Sequence, residues 1–336
     1  MRAMRFHQHG GPEVLTFEDA ADPVPGPGEA LVRVRACALN HLDLWQRRGM
    51  PKVRLPFPHI SGADVAGEVV SGAPAGTRVM LQPGVSCGAC PQCLSGRDNL
   101  CGSYDLLGYM RDGGYAEYVK VPVANLVPIP DHVGFVEAAA FPLTFLTAWH
   151  MLAARAALQP GETVLVLAAG SGVGQAAIQV AKLLGARVIA TAGGAPKLER
   201  ARALGADEVV DHYEQDVAAE ARRLTDGRGV DVVVEHVGEA TWEKSVRSLA
   251  RGGRLVTCGA TTGHSGSIDL RVLFARQISL LGSYMGGKAE LLEASRFFFE
   301  GRLRPAIDVT FPLCDAGAAH TRLERKEQFG KIVLEC

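Results

Sequence analysis

The amino-acid sequence predicts an α/β protein, with a β-rich first half followed by a doubly wound parallel sheet. Residues 1 to about 130 combine many prolines and glycines with short alternating runs such as Leu31–Arg35, a texture typical of half-exposed strands joined by turns. From about residue 136, apolar runs alternate with helical patterns, which predicts a parallel sheet covered by helices on both faces. A third observation is the crowding of four cysteines into Cys87–Cys101. Without a secretory signal, this crowding favours a metal over disulfides.

The order of the elements supports this division. The second half contains predicted strands at 163–167, 187–190, 208–210, 230–235 and 254–257, and predicted helices at 174–184, 197–204, 217–224 and 240–249. A helical pattern over 136–158 is broken at Pro142, because proline has no N–H to donate inside a helix. The tail 330–334 is predicted to be a strand that rejoins the first half.

Composition excludes several classes of function. The 336 residues carry a formal net charge of −1, so nothing attracts the chain to nucleic acid or to an anionic membrane. Hydrophobic residues make up 47% of the chain, enough for the cores of two domains. Met1–Gly10 lacks the apolar run of a signal peptide, and the apolar stretch Phe141–Leu158 contains Arg155 and is predicted to be a buried helix. We therefore expect a cytoplasmic protein that acts on a small molecule, without nucleic-acid or membrane partners.

A glycine-rich turn lies where a dinucleotide fingerprint requires one. The apolar strand Thr163–Leu167 runs into Ala168–Gly174, and a helix follows. Small residues let the backbone approach a pyrophosphate, and the N–H groups at the start of the helix bind phosphate oxygens. The strict glycine spacing is not kept, and the alternative is a plain tight turn in an α/β fold. The predicted phosphate contacts are Ser171, Gly172, Val173 and Gly174.

The end of the next strand indicates which dinucleotide binds. An NAD site usually has a carboxylate there, which accepts a hydrogen bond from the ribose 2′-hydroxyl. After Arg187–Ala190 this chain has no acid before Lys197, and a lysine attracts a 2′-phosphate. The sequence therefore predicts NADP(H), with Gly193 and Lys197 at the site. NAD remains the alternative, in which Lys197 is a solvated residue on the first turn of a helix.

The cysteines follow the spacing Cys87-x2-Cys90-x2-Cys93-x7-Cys101. Zn²⁺ accepts four thiolates in a tetrahedron, and a site with no open position is structural. Glycines and prolines in the lobe 84–104 allow the chain to fold tightly around an ion. We predict one structural Zn²⁺ per chain, whose binding supplies much of the folding free energy of this lobe.

Together these features resemble the zinc-containing alcohol dehydrogenase family of the medium-chain dehydrogenase/reductase superfamily, and within it the quinone oxidoreductase branch. The supporting motifs are Gly62–Gly67, Asp112–Tyr118, Pro142–Trp149, Ala168–Gly174 and Gly330–Leu334. The resemblance implies a GroES-like catalytic domain formed by 1–142 and 283–336 with the zinc lobe 84–104. It also implies a Rossmann NADP-binding domain at 143–282 and a homodimer or homotetramer.

The residues that hold a second, catalytic zinc in that family differ here. By resemblance, Asn40 stands at the first ligand position and Ala63 at the histidine position, and 142–145 contains no cysteine. The resemblance therefore implies that no catalytic zinc binds, so that no metal stabilises an alkoxide. An alternative is an improvised metal site at Cys37, His41 and His59.

The activity that the resemblance implies is NADPH-dependent reduction of a quinone or an activated alkene. Asn40 would donate a hydrogen bond to the oxygen that becomes negative, and Asp43 would orient neighbouring groups. The alternatives are a turn residue for Asn40 and a helix-capping carboxylate for Asp43. Trp45 stands where branch members often have a tyrosine, which leaves the proton donor open. Further cofactor contacts implied by position are Thr147, His212, Val237, Gly238, Cys258, Gly259 and Lys331.

Two other functions stay open. An alcohol dehydrogenase acting on an alcohol and aldehyde pair with NAD(P) would carry two zinc ions per chain instead of one. A non-catalytic NADPH-binding protein would oxidise no NADPH with any quinone or enone.

Overall fold

The computed structural model describes all 336 residues and divides into two compact units. The first unit comprises Met1–Leu143 and Gly287–Cys336, and the second unit comprises Thr144–Gly286; the sequence predicts the divisions after residues 142 and 282. The strands are β1 (Arg2–Arg5), β2 (Thr16–Asp19), β3 (Glu29–Ala38), β4 (Asp64–Ser71), β5 (Arg78–Leu81), β6 (Gly84–Val85), β7 (Asp105–Leu106), β8 (Tyr118–Pro122), β9 (Leu126–Pro128), β10 (Thr163–Val166), β11 (Arg187–Ala192), β12 (Glu208–Asp211), β13 (Val230–Glu235), β14 (Leu249–Thr257), β15 (Ser279–Gly282), β16 (Ile307–Pro312) and β17 (Lys331–Glu335). The helices are α1 (His41–Arg48), α2 (Pro91–Leu94), α3 (Phe135–Ala140), α4 (Pro142–Trp149), α5 (Gly172–Leu183), α6 (Ala195–Ala203), α7 (Val217–Arg223), α8 (Glu239–Ser248), α9 (Leu270–Ala275), α10 (Lys288–Phe299) and α11 (Ala316–Glu324). None of these helices has the length and apolar character that crossing a bilayer requires.

The first unit is built around a seven-stranded sheet with the order β16-β17-β3-β4-β5-β9, and β8 also pairs with β3. From Ala30 to Ala36, every second residue of β3 is buried, which is the pattern of a strand with one face on the core. The predicted tail strand is present as β17 and pairs antiparallel with β3, with Val333 opposite Ala38. This pairing brings Lys331 to the end of β3, where Asn40 follows.

The second unit contains a six-stranded parallel sheet with the order β12-β11-β10-β13-β14-β15. This is a doubly wound order, in which later strands are added outward on both sides of the first one. All of β10 and nearly all of β13 are buried, as expected of central strands covered on both faces. The predicted fold class is confirmed. Because the strands are parallel, their carboxyl ends share one edge of the sheet.

Three details differ from the sequence prediction. The helical pattern over 136–158 consists of α3, α4 and a π-helical turn at His150–Arg155, and Pro142 begins α4, where its missing N–H costs no hydrogen bond. Strand β14 begins at Leu249, at the end of the helix predicted over 240–249. Strand β15 lies at the edge of the sheet and none of its four residues is fully buried, so it lacks the apolar run of a central strand.

Candidate functional site

The two predicted catalytic residues, Asn40 and Asp43, are buried at the junction of β3 and α1. The backbone N–H of Asn40 donates to Asp43 Oδ2 at 2.8 Å, an arrangement that satisfies a helix N-terminus. The hydroxyl of Tyr115 donates to the same oxygen at 3.0 Å. Asp43 Oδ1 has no hydrogen-bond partner. Burial raises the pKa of Asp43 to about 6, so this carboxyl group titrates near neutral pH.

Lys331, predicted as a cofactor contact, lies buried beside Asn40. Its Nζ donates to Asn40 Oδ1 at 2.7 Å, to Leu39 O at 2.7 Å and to Asp64 Oδ2 at 2.9 Å. An ammonium group has three N–H donors, so this one has none left for a cofactor phosphate. The geometry fits Lys331 as the partner that positions Asn40 and Asp64. Its contact with a cofactor stays a prediction that no geometry here supports.

The side-chain amide of Asn40 is held at both ends. Its oxygen accepts from the Lys331 ammonium, and its Nδ2 donates to Asp64 Oδ2 at 3.0 Å. The second N–H of Nδ2 has only a long contact of 3.5 Å, to the carbonyl of Ala38. The other oxygen of Asp64 accepts from the backbone N–H of Leu143 at 2.8 Å. Asn40 therefore presents at most one weakly engaged N–H to a substrate, and its oxygen faces a cation.

The residues of the alternative metal site do not come together. Cys37 is buried inside β3, and burial raises the pKa of its thiol, which disfavours the thiolate that a metal requires. The Nε2 atom of buried His59 lies 3.2 Å from the carbonyl of Gly108. Cys37, His41 and His59 form no group of potential ligand atoms within common reach of one ion.

The four predicted zinc cysteines do form such a group. Their sulfur atoms all lie within 4.8 Å of one another, and three of the pairs are separated by 3.5, 3.5 and 3.9 Å. A tetrahedral zinc with Zn–S bonds of about 2.3 Å requires sulfurs about 3.8 Å apart, so the residues fit the ion. Backbone N–H groups of Ala89 and Cys90 lower the pKa of Cys87 to about 6, which favours its thiolate form.

The glycine-rich turn joins β10 to α5. Ser171 caps the helix, since its Oγ accepts from the N–H of Gly174 at 2.8 Å. A Cβ on Gly174 would lie 2.2 Å from the carbonyl oxygen of Ala168, so only glycine lets the helix start this close to the strand. Gly172 and Val173 are the first residues of α5, and their N–H groups have no acceptor within the helix. The turn can therefore bind an anion.

His236 adds a side chain to this turn that the sequence prediction missed. Its Nε2 lies 2.9 Å from Ser171 Oγ, and its buried Nδ1 has no hydrogen-bond partner. Burial lowers the pKa of His236, so the ring is neutral at pH 7. When the Ser171 hydroxyl donates to Nε2, Nδ1 carries the proton. A buried donor without an acceptor, next to unpaired backbone N–H groups, fits a bound dinucleotide.

The ends of β11 and β12 carry the predicted specificity residues. Gly193 packs against the ring of Tyr213, because a Cβ there would lie 2.1 Å from a ring carbon. Burial lowers the pKa of His212, and the positive charge of Lys197 lowers it further, which places these two side chains near one another. Asp211 lies close by, and its oxygens accept from the backbone N–H groups of Gly194 and Tyr213 at 3.0 Å.

The remaining predicted cofactor residues also lie in the second unit. Val237 and Gly238 follow β13, and Cys258 and Gly259 follow β14. The carboxylate of buried Glu235 fixes the first pair by accepting from the N–H of Val237 at 2.7 Å and of Gly238 at 3.0 Å. Thr147 is buried in α4, with its hydroxyl 3.9 Å from the sulfur of Met285. Lys331 alone among the predicted cofactor residues lies in the first unit.

Sequence reasoning also missed three buried polar residues around Asn40 and Asp43, namely Asp64, Tyr115 and His320. Tyr115 Oη lies 3.2 Å from His320 Nε2, and burial lowers the pKa of His320 to about 3, so that ring stays neutral. The signal for Asp64 was available, because it follows Ala63 in a motif that supported the resemblance. Tyr115 and His320 are 205 residues apart, and no local pattern joins them.

The doubly wound sheet with its glycine-rich turn and the four-cysteine lobe define an NAD(P)-dependent oxidoreductase with a structural zinc. Residues 26–131 match the alcohol dehydrogenase GroES-like domain, and residues 172–300 match the zinc-binding dehydrogenase model. A quinone oxidoreductase of Pseudomonas aeruginosa is 34% identical over 344 residues, which cover 99% of each chain. An alcohol dehydrogenase of Geobacillus stearothermophilus is 32% identical over 328 residues, which cover 96% of each chain.

A solved structure of an NAD-dependent alcohol dehydrogenase is 50% identical, with a TM-score of 0.96 over all of both chains. The chain belongs to the zinc-containing alcohol dehydrogenase family of the medium-chain dehydrogenase/reductase superfamily.

Proposed function

We propose that this protein reduces a quinone or an α,β-unsaturated carbonyl compound with NADPH and without a catalytic zinc. One observation carries the proposal. The buried ammonium of Lys331 contacts the side-chain oxygen of Asn40 at 2.7 Å, at the position where the family resemblance implies the first zinc ligand. A cation already lies at the acceptor atom that a metal would need. The adjoining Ala63 has no ligand atom in its side chain.

The charge at this position suits hydride transfer to a polarised carbon. NADPH supplies the hydride when it is bound. Hydride would add to the β-carbon, the C=C electron pair would form a double bond to the carbonyl carbon, and the C=O electron pair would move to the oxygen, which becomes negative. The weakly engaged N–H of Asn40 and the positive charge of Lys331 stabilise such an oxygen, since preorganised donors act strongly where water is excluded. A proton must then be added to the reduced substrate. Asp43, whose pKa is raised to about 6, affects that step indirectly, because its carboxyl group accepts from the backbone N–H of Asn40 at the start of α1.

The proposed cofactor preference for NADP(H) depends on the end of β11. Strand β11 itself ends without a carboxylate, and the oxygens of Asp211 at the end of β12 already accept backbone N–H groups. Lys197 on the first turn of α6 supplies positive charge for a 2′-phosphate. The test is the dissociation constant of NADPH and of NADH, measured by quenching of protein fluorescence. We expect NADPH to bind more tightly, and Lys197→Ala to weaken NADPH about tenfold without changing NADH. Equal binding of both cofactors would contradict the preference.

The central experiment combines metal content with a substrate panel. We expect mass spectrometry of the intact protein to show one zinc per chain. We also expect the protein to oxidise NADPH with quinones and enones, and a chelator at neutral pH should not stop this activity within minutes. Two zinc ions per chain, together with alcohol oxidation that needs the second ion, would refute the proposal. That outcome would favour the second candidate, an alcohol dehydrogenase acting on an alcohol and aldehyde pair. The similarity to alcohol dehydrogenases, at up to 50% identity, supports alcohol dehydrogenase activity as the second candidate function.

The protein is also proposed to be a homodimer or homotetramer whose chains pair through β15. This strand lies at the edge of the six-stranded sheet, where unpaired N–H and C=O groups offer pairing to a second chain. Leu270 and Phe274 on neighbouring α9 are 67% and 70% exposed, which is unusual for large apolar side chains unless they are covered. Light scattering after size-exclusion chromatography should give twice or four times the chain mass of 35.7 kDa. A monomer mass that persists at high concentration would exclude this assembly.

A further inference from the structure

A groove lined mainly by arginine opens in the second unit, away from the predicted cofactor residues. Its volume is about 600 Å³, and its walls are Arg222, Gly227, Arg228, Ala250, Arg251 and Arg276. These residues lie before β13, at the start of β14 and before β15, so the groove is at the amino ends of the parallel strands. The predicted cofactor residues follow the carboxyl ends. The groove is therefore on the opposite edge of the same sheet.

Three of the four guanidinium groups have no carboxylate partner. Arg228 forms an ion pair with Asp231, with a distance of 3.0 Å between Nη2 and Oδ2. Arg222, Arg251 and Arg276 form no ion pair, and their four hydrogen bonds all go to backbone carbonyls. Burial lowers the pKa of Arg276, and the positive charges of Arg222 and Arg251 lower it further. Three like charges thus face one groove, and no carboxylate side chain pairs with them.

The carbonyl contacts explain the orientation of these side chains but not their number. Arg222 donates to the carbonyl of Arg247 at 2.9 Å, near the end of α8, and Arg251 donates to the carbonyl of Ala275 at 3.1 Å, at the end of α9. Cations near a helix C-terminus are stabilising. Each guanidinium group carries five N–H donors, however, so four hydrogen bonds leave most donors of the three groups unused. The contacts fix the guanidinium groups in place around the groove.

We propose that this groove binds a small polyphosphate anion, such as inorganic tripolyphosphate or the phosphate chain of a nucleotide. Planar guanidinium groups match phosphate oxygens in pairs. Three unpaired positive charges can be balanced by an anion that carries several negative charges. A single carboxylate or phosphate group carries too few. The volume is within the range of about 300–1,000 Å³ typical of small-molecule sites. Since the groove lies on the other edge of the sheet, this ligand is additional to the redox cofactor.

Isothermal titration of the full-length protein with tripolyphosphate tests the proposal. We expect saturable binding at one site per chain, and a loss of affinity of about tenfold in Arg251→Gln, since one charge-assisted contact is removed. Arg251 is exposed and outside any ion pair, so this variant should fold; Arg276→Gln provides a second measurement. Arg271→Gln is the matched control. It also removes one positive charge, but Arg271 lies on neighbouring α9 and forms an ion pair with Asp269. Lys197→Ala shows whether phosphate binds at the predicted cofactor edge instead.

Each outcome decides the question. Binding that is weakened by Arg251→Gln and unchanged by Arg271→Gln and Lys197→Ala supports the site. The absence of saturable binding to the wild type overturns it, as does binding that Arg251→Gln leaves unchanged. If the arginines serve only as helix caps, Arg276→Gln lowers the unfolding temperature while the wild type binds no tripolyphosphate.

Discussion

Replacing Lys331 with methionine tests the interpretation of Asn40 most directly. The ammonium is buried and donates to three oxygens at 2.7–2.9 Å. Methionine removes these donors and leaves the Asp64 carboxylate buried without its counter-charge. Breaking a buried ion pair by removing one partner costs about 3–5 kcal/mol. We expect Lys331→Met to lose about this much unfolding free energy in the first unit, and to lose activity because Asn40 is no longer oriented.

A double-mutant cycle separates the ion pair from simple loss of packing. In Asp64→Asn/Lys331→Met neither of the two substituted side chains is charged, and the amide oxygen at position 64 can accept from one of the two former donors, Asn40 Nδ2 or the Leu143 N–H. The double variant should recover about 2 kcal/mol relative to the sum of the single variants, within the range found for contacting pairs. The assay is urea unfolding followed by hydrogen exchange of peptides from β3 and β17. Lys120→Met, which removes an exposed lysine 3.7 Å from Glu29, is the control and should change stability little. The interpretation is refuted if Lys331→Met costs no more than this control or if the two substitutions are additive.

Three further outcomes follow from the structure. The pKa of Asp43 is raised from 3.8 to about 6, so the ionised carboxyl group is less stable in the folded protein than in the unfolded chain. The resulting loss of unfolding free energy is absent below pH 3.8 and complete above pH 6. Relative to Asp43→Asn, the wild type should lose about 3 kcal/mol of unfolding free energy across that window, and parallel pH profiles of the two proteins in urea would contradict the assignment. Cys101→Ser should reduce bound zinc from one ion per chain to almost none and expose the lobe 84–104 to protease, because the metal stabilises that loop; full zinc content in this variant would mean that the ion binds elsewhere. Gly174→Ala places a Cβ 2.2 Å from a backbone oxygen and should weaken dinucleotide binding about tenfold or more by displacing the start of α5, whereas unchanged affinity in a fluorescence titration would show that the cofactor binds away from this turn.

The fold could be predicted because its signals are local. The apolar strand before Ala168–Gly174 and the spacing of Cys87, Cys90, Cys93 and Cys101 each lie within a few consecutive residues. Strand β15 could not be found in this way, because it is a partly exposed edge strand without the apolar run of a central strand. Element boundaries were also shifted where tertiary pairing decides them, as at Leu249, which begins β14 by pairing with Val230.

The candidate site was less predictable because its contacts join distant parts of the chain. Asn40 and Lys331 are 291 residues apart. Only the pairing of β3 with β17 shows that all three N–H donors of the lysine are bonded inside the first unit. From the sequence, the same lysine was interpreted as a cofactor contact by position alone. His236 was missed for another reason. A single histidine after a strand carries no spacing signal, and its importance depends on a ring nitrogen that lacks a partner.

The position of β17 affects how the molecule is made. This strand lies between β16 and β3 in the sheet of the first unit, yet its residues are translated after the whole of the second unit. A nascent chain can therefore complete its nucleotide-binding half while β3 still lacks this neighbour. Until Lys331 leaves the ribosome, the Asp64 carboxylate lacks its counter-charge and Asn40 Oδ1 lacks its donor. The cluster of Asn40, Asp64 and Lys331 is thus completed only after the dinucleotide-binding half has been translated.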